Sequence, residues 1–187
     1  MLDDMNIHHR GLSEWALSKI PDIACRKILD IGCGGGMLIS LLSGRFPDAE
    51  IFGVDISDEA VRATKELNKD LVNRGKCHIS LDSVSELPFS DGVFDLVTAF
   101  ETYFFWPDLD DDLRKAAGKV AENGCLVIVS ETYPHPDFKE KNDETIRLYG
   151  LDLRDNDVMA SMIAACGMDV TVHEVVEKNW VAFVGKK

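Results

Sequence analysis

Residues 28–38, with the sequence ILDIGCGGGML, place four glycines and a cysteine between two apolar stretches. Residues 27–31 read as a β-strand, and Met37 begins a helix that runs to the break at Phe46 and Pro47. The free amides and partial positive charge at such a helix N-terminus bind a polar group of a ligand, provided that no side chain intervenes. A sharp strand-to-helix turn also requires glycine for conformational reasons, so the loop alone leaves both explanations open.

The order of strand followed by helix recurs along the chain. Further strands are predicted at residues 50–54, 77–81, 94–99 and 125–130, helices at residues 58–74, 110–121 and 155–165, and a turn at residues 123–124. A short helix at residues 11–20 precedes the first strand, and residues 168–176 and 180–184 form a predicted antiparallel pair. Uninterrupted apolar strands that alternate with helices are typical of a parallel sheet buried on both faces. The predicted fold class is therefore α/β.

Composition limits the classes of partner. The 187 residues, of which 45% are hydrophobic, are sufficient for one compact domain with its own core. A net charge of −13 repels phosphate backbones and anionic bilayers, so we expect no nucleic acid partner. No apolar run approaches the roughly 20 residues of a membrane span, and the acidic first residues are unlike a secretory signal. Five scattered cysteines indicate reduced thiols, and we expect a cytoplasmic protein.

The spacing of the glycines helps to choose between ligands. Counted from Gly32, the dinucleotide fingerprint G-x-G-x-x-G requires glycine or alanine at position 37, which is Met37. This difference argues against a nicotinamide cofactor. Asp55 ends the second strand about 20 residues beyond the loop, where a carboxylate accepts hydrogen bonds from ribose hydroxyls. Asp30 lies within the first strand, where a carboxylate is costly unless satisfied, so it either caps loop amides or contacts a ligand.

Four segments taken together, ILDIGCGGG, GVDIS, DSVSELPFSDGVFDLV and ENGCLVIVSE, resemble the successive motifs of class I S-adenosylmethionine-dependent methyltransferases, in particular the type 11 small-molecule group. The resemblance covers most of residues 28–131. It implies a Rossmann-like three-layer sandwich with a seven-stranded sheet of order 3-2-1-4-5-7-6, in which strand 7 is antiparallel. The implied cofactor is S-adenosylmethionine, and the implied product is S-adenosylhomocysteine.

The resemblance also implies a single domain over residues 1–187. Residues 1–25 would form a lid helix, residues 28–131 the cofactor-binding core, and residues 132–187 the C-terminal helices and strand pair. The segment at residues 133–156 is short and leaves little room for a substrate-recognition domain. A small acceptor is therefore favoured over a protein or RNA.

Carried over residue by residue, the resemblance names the cofactor site. Three residues would line the methionine part of the cofactor: Gly32, Cys33 and Gly34. Asp55 would hold the ribose, and Ile56 would pack on the adenine. Asp30 and Gly36 are further candidates in and beside the same loop.

The loop after the third strand departs from the family pattern. The family often has G-D-x-x-x-LPF, in which the acid contacts the adenine amino group. Counting back from residues 87–89 puts Ser83 in the place of the acid and Asp82 in the place of the glycine. Either Asp82 reaches the adenine from a shifted loop, or Ser83 and the backbone of Val84 take over this contact.

The segment after the fourth strand, residues 100–107 (FETYFFWP), is dense in aromatic side chains. Phe100 and Glu101 are predicted to form a wall of the pocket near the cofactor or substrate, whereas Phe104 and Phe105 are predicted to lie in the core. The substrate candidates on this loop and on the loop after the fifth strand are Tyr103, Trp106, Glu131 and Tyr133.

Methyl transfer from a sulfonium is an in-line displacement, so positioning the acceptor and excluding water are the main tasks. A general base is needed only if the nucleophile arrives protonated, and the candidates are Glu101 and His135. His9 and Trp15 either belong to the lid or, with His8, to a solvated terminus. No carboxylate or cysteine completes a metal site with these histidines at a recognisable spacing, so no metal is expected.

The expected function is transfer of a methyl group from S-adenosylmethionine to an unidentified small molecule. Two alternatives remain. One is an NAD(P)-dependent oxidoreductase of Rossmann type, and the other is a protein that binds S-adenosylmethionine without turnover, as a sensor or partner subunit. The sequence leaves the acceptor, the methylated atom and the oligomeric state open.

Overall fold

The computed structural model describes the backbone of residues 2–187 and the side chains from His9 onward, so the side chain of His8 lies outside the described residues. Over residues 2–187 the strands are β1 (Lys27–Ile31), β2 (Glu50–Asp55), β3 (Cys77–Leu81), β4 (Phe94–Phe100), β5 (Val120–Ser130), β6 (Asp169–Val175) and β7 (Trp180–Lys186). The helices over the same residues are α1 (Leu2–Leu17), α2 (Met37–Arg45), α3 (Asp58–Leu67), α4 (Lys69–Asn73), α5 (Leu109–Gly118), α6 (Lys139–Tyr149) and α7 (Asn156–Ala165). Within this described part of the chain, none of the helices is both long and apolar enough to span a bilayer.

The strands form one sheet in the order β3-β2-β1-β4-β5-β7-β6. Neighbouring strands from β3 to β5 pair in parallel, whereas β7 pairs antiparallel with both β5 and β6. The α/β class, the strand order and the antiparallel strand 7 are therefore confirmed. Because parallel strands point the same way, the carboxyl ends of β1 to β5 lie along one edge of the sheet.

The central strands bury side chains on both faces of the sheet. Ile28 of β1 pairs in register with Leu96 of β4, and both belong to the core layer that also contains residues of α1 and α2. Their neighbours Leu29 and Val97 point to the opposite face, into the layer that contains residues of α5 and α7. All four side chains are fully buried. Burial on both faces explains why these strands are continuous apolar runs.

The helix predicted at residues 58–74 is interrupted between α3 and α4. The break lies at Asn68, whose buried side-chain amide donates to the carbonyl oxygen of Gly36 at 2.9 Å. The Oδ1 atom of Asn68 accepts a hydrogen bond from the hydroxyl of Ser40 at 2.7 Å. These bonds join the end of α3 to the start of α2. The contact ends α3, and the hydrophobic periodicity of residues 58–74 does not indicate it.

Two other boundaries differ from the sequence prediction. α1 begins at Leu2 and ends at Leu17, whereas the pattern predicted a helix at residues 11–20. The predicted turn at residues 123–124 lies inside β5, where Asn123 has a φ of 64°. The register of β4 with β5 shifts between Phe94 and Leu96, and such a bulge lets a strand absorb irregular residues without ending.

Replacement of Asn68 by alanine removes the buried hydrogen bonds between α3 and α2. We expect the free energy of unfolding to fall by about 1–3 kcal/mol, because buried polar groups lose their partner. Asn73→Ala is the matched control, since Asn73 is exposed on α4 and its replacement should change the stability by less than about 0.5 kcal/mol. Denaturant unfolding measures both variants. Equal losses of stability would contradict the role of Asn68.

Candidate active site

A cavity of about 510 Å³ opens at the carboxyl edge of the sheet. Its walls are the glycine loop after β1, the residues that follow β2 and β3, the segment after β4, and one side of α1. Open parallel sheets bind ligands at this edge. The structure brings the following sequence-predicted residues to the cavity wall: His9, Asp30, Gly32, Cys33, Gly34, Asp55, Ile56, Asp82, Ser83, Val84, Phe100, Glu101 and Trp106.

The glycine loop leaves bare backbone at the cavity for a steric reason. Gly32 has a φ of 75°, and a Cβ atom at this position would lie 2.5 Å from the side-chain oxygen of Thr102. The amide groups of Gly32 and Cys33 both donate to the carbonyl oxygen of Val54, at 2.8 and 3.0 Å. The loop is therefore held against β2, and the side chain of Thr102 occupies the space that Gly32 leaves.

The carboxylate of Asp55 joins the loop to the next helix. Its Oδ2 atom accepts a hydrogen bond from the backbone amide of Gly34 at 2.9 Å, and Oδ1 accepts one from the amide of Ser57 at 3.0 Å. Ser57 in turn caps α3, because its hydroxyl oxygen accepts from the amide of Ala60. Ile56, beside Asp55 on the cavity wall, is 75% exposed. A half-buried carboxylate next to an open apolar side chain suits a ligand with hydroxyl groups and a flat ring.

Asp30 brings a buried acid to the floor of the cavity. The residue is 1% exposed, and its Oδ1 atom accepts a hydrogen bond from the hydroxyl of Thr98 at 2.8 Å. Oδ2 has no hydrogen-bond partner among the residues that the structure describes. Burial raises the pKa of Asp30 to about 7, the negative charge of Asp55 adds to the rise, and the Thr98 hydrogen bond opposes it. An unpartnered buried carboxyl oxygen requires a donor, and a cationic group of a ligand would supply one.

The loop after β3 brings Asp82, Ser83 and Val84 together on the wall next to Asp55. The amide of Asp82 donates to the carbonyl oxygen of Asp55 at 3.1 Å, which fixes the start of this loop. The hydroxyl oxygen of Ser83 accepts from the amide of Ser85 at 3.2 Å and so caps a short 3-10 turn. Asp82 and Ser83, the two alternatives for the adenine contact, thus both line the cavity. The hydroxyl of Ser83 already caps its own turn, whereas Asp82 offers a carboxyl group.

The segment after β4 forms the opposite end of the cavity. Glu101 has a φ of 57°, which is uncommon outside glycine, and its Oε1 atom accepts a hydrogen bond from the amide of Glu131 at 2.5 Å. Burial and the charge of Glu131 raise the pKa of Glu101 to about 7, although the charge of His9 opposes the rise. The Nε2 atom of His9 lies 3.3 Å from Oε1 of Glu131. Burial alone would lower the pKa of His9, but the hydrogen bond to Glu131 and the two nearby acids raise it.

Two tyrosines predicted as substrate contacts do not line the cavity. Tyr103 is 1% exposed and Tyr133 is 2% exposed, and both belong to the core layer that includes residues of α5 and α7. Phe105, which was predicted to lie in the core, is 54% exposed and lines the cavity, while Phe104 is buried as predicted. The backbone turn at Glu101 and the 3-10 turn after it set which aromatic rings face the core.

Four other predicted residues also lie outside the wall. Gly36, with a φ of 81°, precedes α2, and a Cβ there would lie 2.8 Å from the Cα atom of Thr64 on α3. The ring of Trp15 lies against Trp180, with 5.8 Å between the ring centroids. The Nδ1 atom of His135 accepts from the amide of Asp137 in its own turn. Glu131 does not line the cavity, but it contacts two residues that do, Glu101 and His9.

Several residues of the wall are not among those predicted from the sequence. Thr102 is the side chain that fills the space beside Gly32, and Pro107 follows Trp106. Leu12 and Ser13 of α1 complete the wall on the side of His9. Leu12 and Ser13 lie within the helix predicted at residues 11–20, but no pattern in the sequence indicates that α1 lies across this edge of the sheet.

A sequence model of a family described as the methyltransferase domain matches residues 29–128 of the chain. The chain belongs to this family. The matched residues contain the last three residues of β1, all of β2 to β4 and most of β5, and they include most of the cavity wall.

The methyltransferase domain is similar to curated proteins of known name. It is 29% identical over 114 residues to trans-aconitate 2-methyltransferase of Afipia carboxidovorans, a match that covers 60% of this chain and 41% of that protein. It is 32% identical over 108 residues to malonyl-[acyl-carrier protein] O-methyltransferase of Legionella pneumophila, a match that covers 58% of this chain and 37% of that protein. The matched region spans about two fifths of the length of these relatives.

The methyltransferase domain also shares its fold with solved structures. An O-methyltransferase family protein from Burkholderia thailandensis has a TM-score of 0.84 at 15% identity, over 100% of this chain and 58% of that one. Geranyl diphosphate C-methyltransferase from Streptomyces coelicolor, in complex with Mg²⁺, geranyl diphosphate and S-adenosylhomocysteine, has a TM-score of 0.83 at 12% identity, with 95% and 79% covered. At these identities the likeness establishes a common architecture.

The raised pKa of Asp30 makes a testable contribution to stability. Its folded pKa of about 7 lies above the usual value of about 4, so its stabilising effect is complete below pH 4 and is lost as the pH rises through 7. Asp30→Asn should therefore lose less stability than the wild type between pH 5 and pH 8, by on the order of 2–3 kcal/mol. Denaturant unfolding of the ligand-free protein at the two pH values measures this difference.

The matched control is Asp48→Asn, because Asp48 is an exposed acid far from the cavity. We expect its pH dependence to equal that of the wild type. An unchanged pH dependence in Asp30→Asn would contradict a buried, high-pKa carboxyl at this position.

Proposed function

We propose that this chain transfers a methyl group from S-adenosylmethionine to a small-molecule acceptor. The observation that carries the proposal is the unpartnered, buried Oδ2 atom of Asp30 beneath a bare glycine loop, in a chain of the methyltransferase domain family. When bound, S-adenosylmethionine supplies an electrophilic methyl group on a positively charged sulfur. A site that combines buried acids with open backbone fits a ligand that carries positive charge and needs close approach.

Different residues of the cavity would bind different parts of this cofactor. Asp55 would accept hydrogen bonds from the ribose hydroxyls, because its carboxylate is already oriented by two backbone amides. Ile56 and Val84 would pack on the adenine from the wall that also carries Asp82. Asp30 would accept from the amino group of the methionine part, which gives its unpartnered oxygen a donor. A chain of net charge −13 further favours a cationic ligand.

The other end of the cavity would receive the acceptor. Phe105 and Trp106 supply an apolar wall that excludes water, and positioning of the nucleophile is the main catalytic task. If the acceptor arrives protonated, Glu101 is placed to take the proton, and its pKa of about 7 suits a general base near neutral pH. His135 does not line the cavity, so it is the weaker of the two predicted bases.

Two rival functions make different demands on the same cavity. A nicotinamide-dependent enzyme requires a small residue where Met37 lies on the cavity wall, and this side chain disfavours a dinucleotide. A protein that binds the cofactor without turnover would use the same Asp30 and Asp55. The curated relatives that carry methyltransferase names favour the enzyme over this sensor.

Calorimetric titration with S-adenosylhomocysteine and NADH tests the cofactor. We expect S-adenosylhomocysteine to bind and NADH not to bind. Asp55→Ala should weaken binding by about 1–3 kcal/mol, because it loses hydrogen bonds to the ribose and the anchor of Gly34. Asp58→Ala, which removes an exposed acid from the start of α3, is the control and should bind as the wild type does. Failure of S-adenosylhomocysteine to bind, or binding of NADH alone, would overturn the proposal.

Turnover distinguishes the enzyme from the sensor. Incubation with S-adenosylmethionine labelled in the methyl group, together with a panel of small acids, alcohols and amines, should transfer label to at least one acceptor. Binding of S-adenosylhomocysteine with no labelled product across the panel would favour the sensor.

A further inference from the structure

His9, Glu101 and Glu131 form a three-residue cluster at the acceptor end of the cavity. One nitrogen or oxygen atom of each side chain lies within 4.8 Å of the corresponding atoms of the other two. The three residues come from α1, from the position directly after β4 and from the position directly after β5. The fold thus gathers two carboxyl groups and an imidazole that are far apart in the sequence.

The backbone holds these groups close together. The carboxyl of Glu101 accepts from the backbone amide of Glu131 at 2.5 Å, and Glu131 lies 3.3 Å from Nε2 of His9. The left-handed φ of 57° at Glu101 is a costly conformation that functional sites often retain. The side chains of His9 and Glu131 are only 22% and 21% exposed, so the acids cannot relieve their repulsion by turning fully to solvent.

A second observation concerns Trp106 on the wall of the same cavity. Trp106 lines the same cavity and is 8% exposed, and its indole Nε1 has no hydrogen-bond partner among the residues that the structure describes. A buried N–H group without a partner is uncommon and calls for an acceptor atom. An oxygen atom of a bound molecule would provide that acceptor if the ring shifts enough to expose its N–H group to the cavity.

We propose that His9, Glu101 and Glu131 bind a divalent cation of the Mn²⁺, Fe²⁺ or Zn²⁺ type, and that its remaining coordination positions take an oxygen atom of the methyl acceptor. One imidazole and two carboxylates are donors that such ions accept in proteins. Ligand atoms about 2.1 Å from an ion lie roughly 3.0–3.4 Å from each other, and the distance of 3.3 Å between His9 and Glu131 falls in this range. The part concerning the acceptor rests on the proposed function, whereas binding of the cation does not. With a cation bound, Glu101 is a ligand of the cation and does not act as the general base.

Titration of the ligand-free protein with MnCl₂, followed by the electron paramagnetic resonance signal of free Mn²⁺, tests the site. We expect one saturable site per chain. Glu131→Gln and His9→Gln should each weaken it by at least the roughly 10–100-fold that loss of an outer-shell partner costs, because each removes a ligand itself. Glu122→Gln makes the same charge change at an exposed position of β5 and should leave the affinity unchanged. This control separates the site from diffuse attraction to a chain of charge −13.

Absence of a saturable Mn²⁺ site, or equal affinities in all four proteins, would overturn the cation site. Saturable binding of ethylammonium that Glu131→Gln abolishes, without binding of Mn²⁺, would replace the metal by an ammonium group. Circular dichroism identifies a variant that fails to fold, and the two variants lie on different elements, so either one suffices. If the protein binds S-adenosylhomocysteine but does not bind Mn²⁺, only the cation site is overturned. If it binds Mn²⁺ but does not bind S-adenosylhomocysteine, only the proposed function is overturned.

Discussion

The shape of the cavity depends on the hydrogen bonds that the carboxylate of Asp55 accepts. This carboxylate accepts hydrogen bonds from the amide of Gly34 in the glycine loop and from the amide of Ser57 at the start of α3. One side chain at the end of β2 therefore sets the path of two neighbouring segments. Together with the bonds from Gly32 and Cys33 to Val54, it holds the glycine loop in place at the carboxyl edge of the sheet.

The cavity places acids where water solvates them poorly. Asp30 and Glu101 both line it, near the ends of the neighbouring strands β1 and β4, and burial is the largest cause that raises the pKa of each to about 7. The rest of the chain, with its net charge of −13, supplies little positive charge to stabilise these carboxylates. A cationic ligand would favour the ionised form of both groups, so binding of such a ligand is coupled to the pH. This environment favours positive charge on a bound ligand.

The sheet and the cofactor half of the site follow from local patterns in the sequence. A strand, glycines at fixed spacing and an acid at the end of the next strand are all encoded within short segments, and the structure brings Gly32, Gly34 and Asp55 together as those segments predict. The interruption at Asn68 escaped prediction because it depends on a hydrogen bond to a residue in another element.

The acceptor half could not be predicted in the same way. Its geometry depends on the turn at Glu101, which sends Tyr103 to the core and leaves Phe105 at the cavity, and aromatic density alone does not encode that choice. The approach of His9 to Glu131 depends on the position of α1 across the sheet edge. No spacing rule relates residues from such distant segments.

A crystal structure of the protein with S-adenosylhomocysteine tests most directly whether the acidic, glycine-lined cavity is a site for a sulfonium cofactor. We expect the ribose hydroxyls to lie within hydrogen-bond distance of Asp55 and the amino group to lie at Asp30. The adenine should lie against Ile56 and Val84. Electron density for the ligand outside this cavity, or an adenine ring placed at Trp106, would contradict the account.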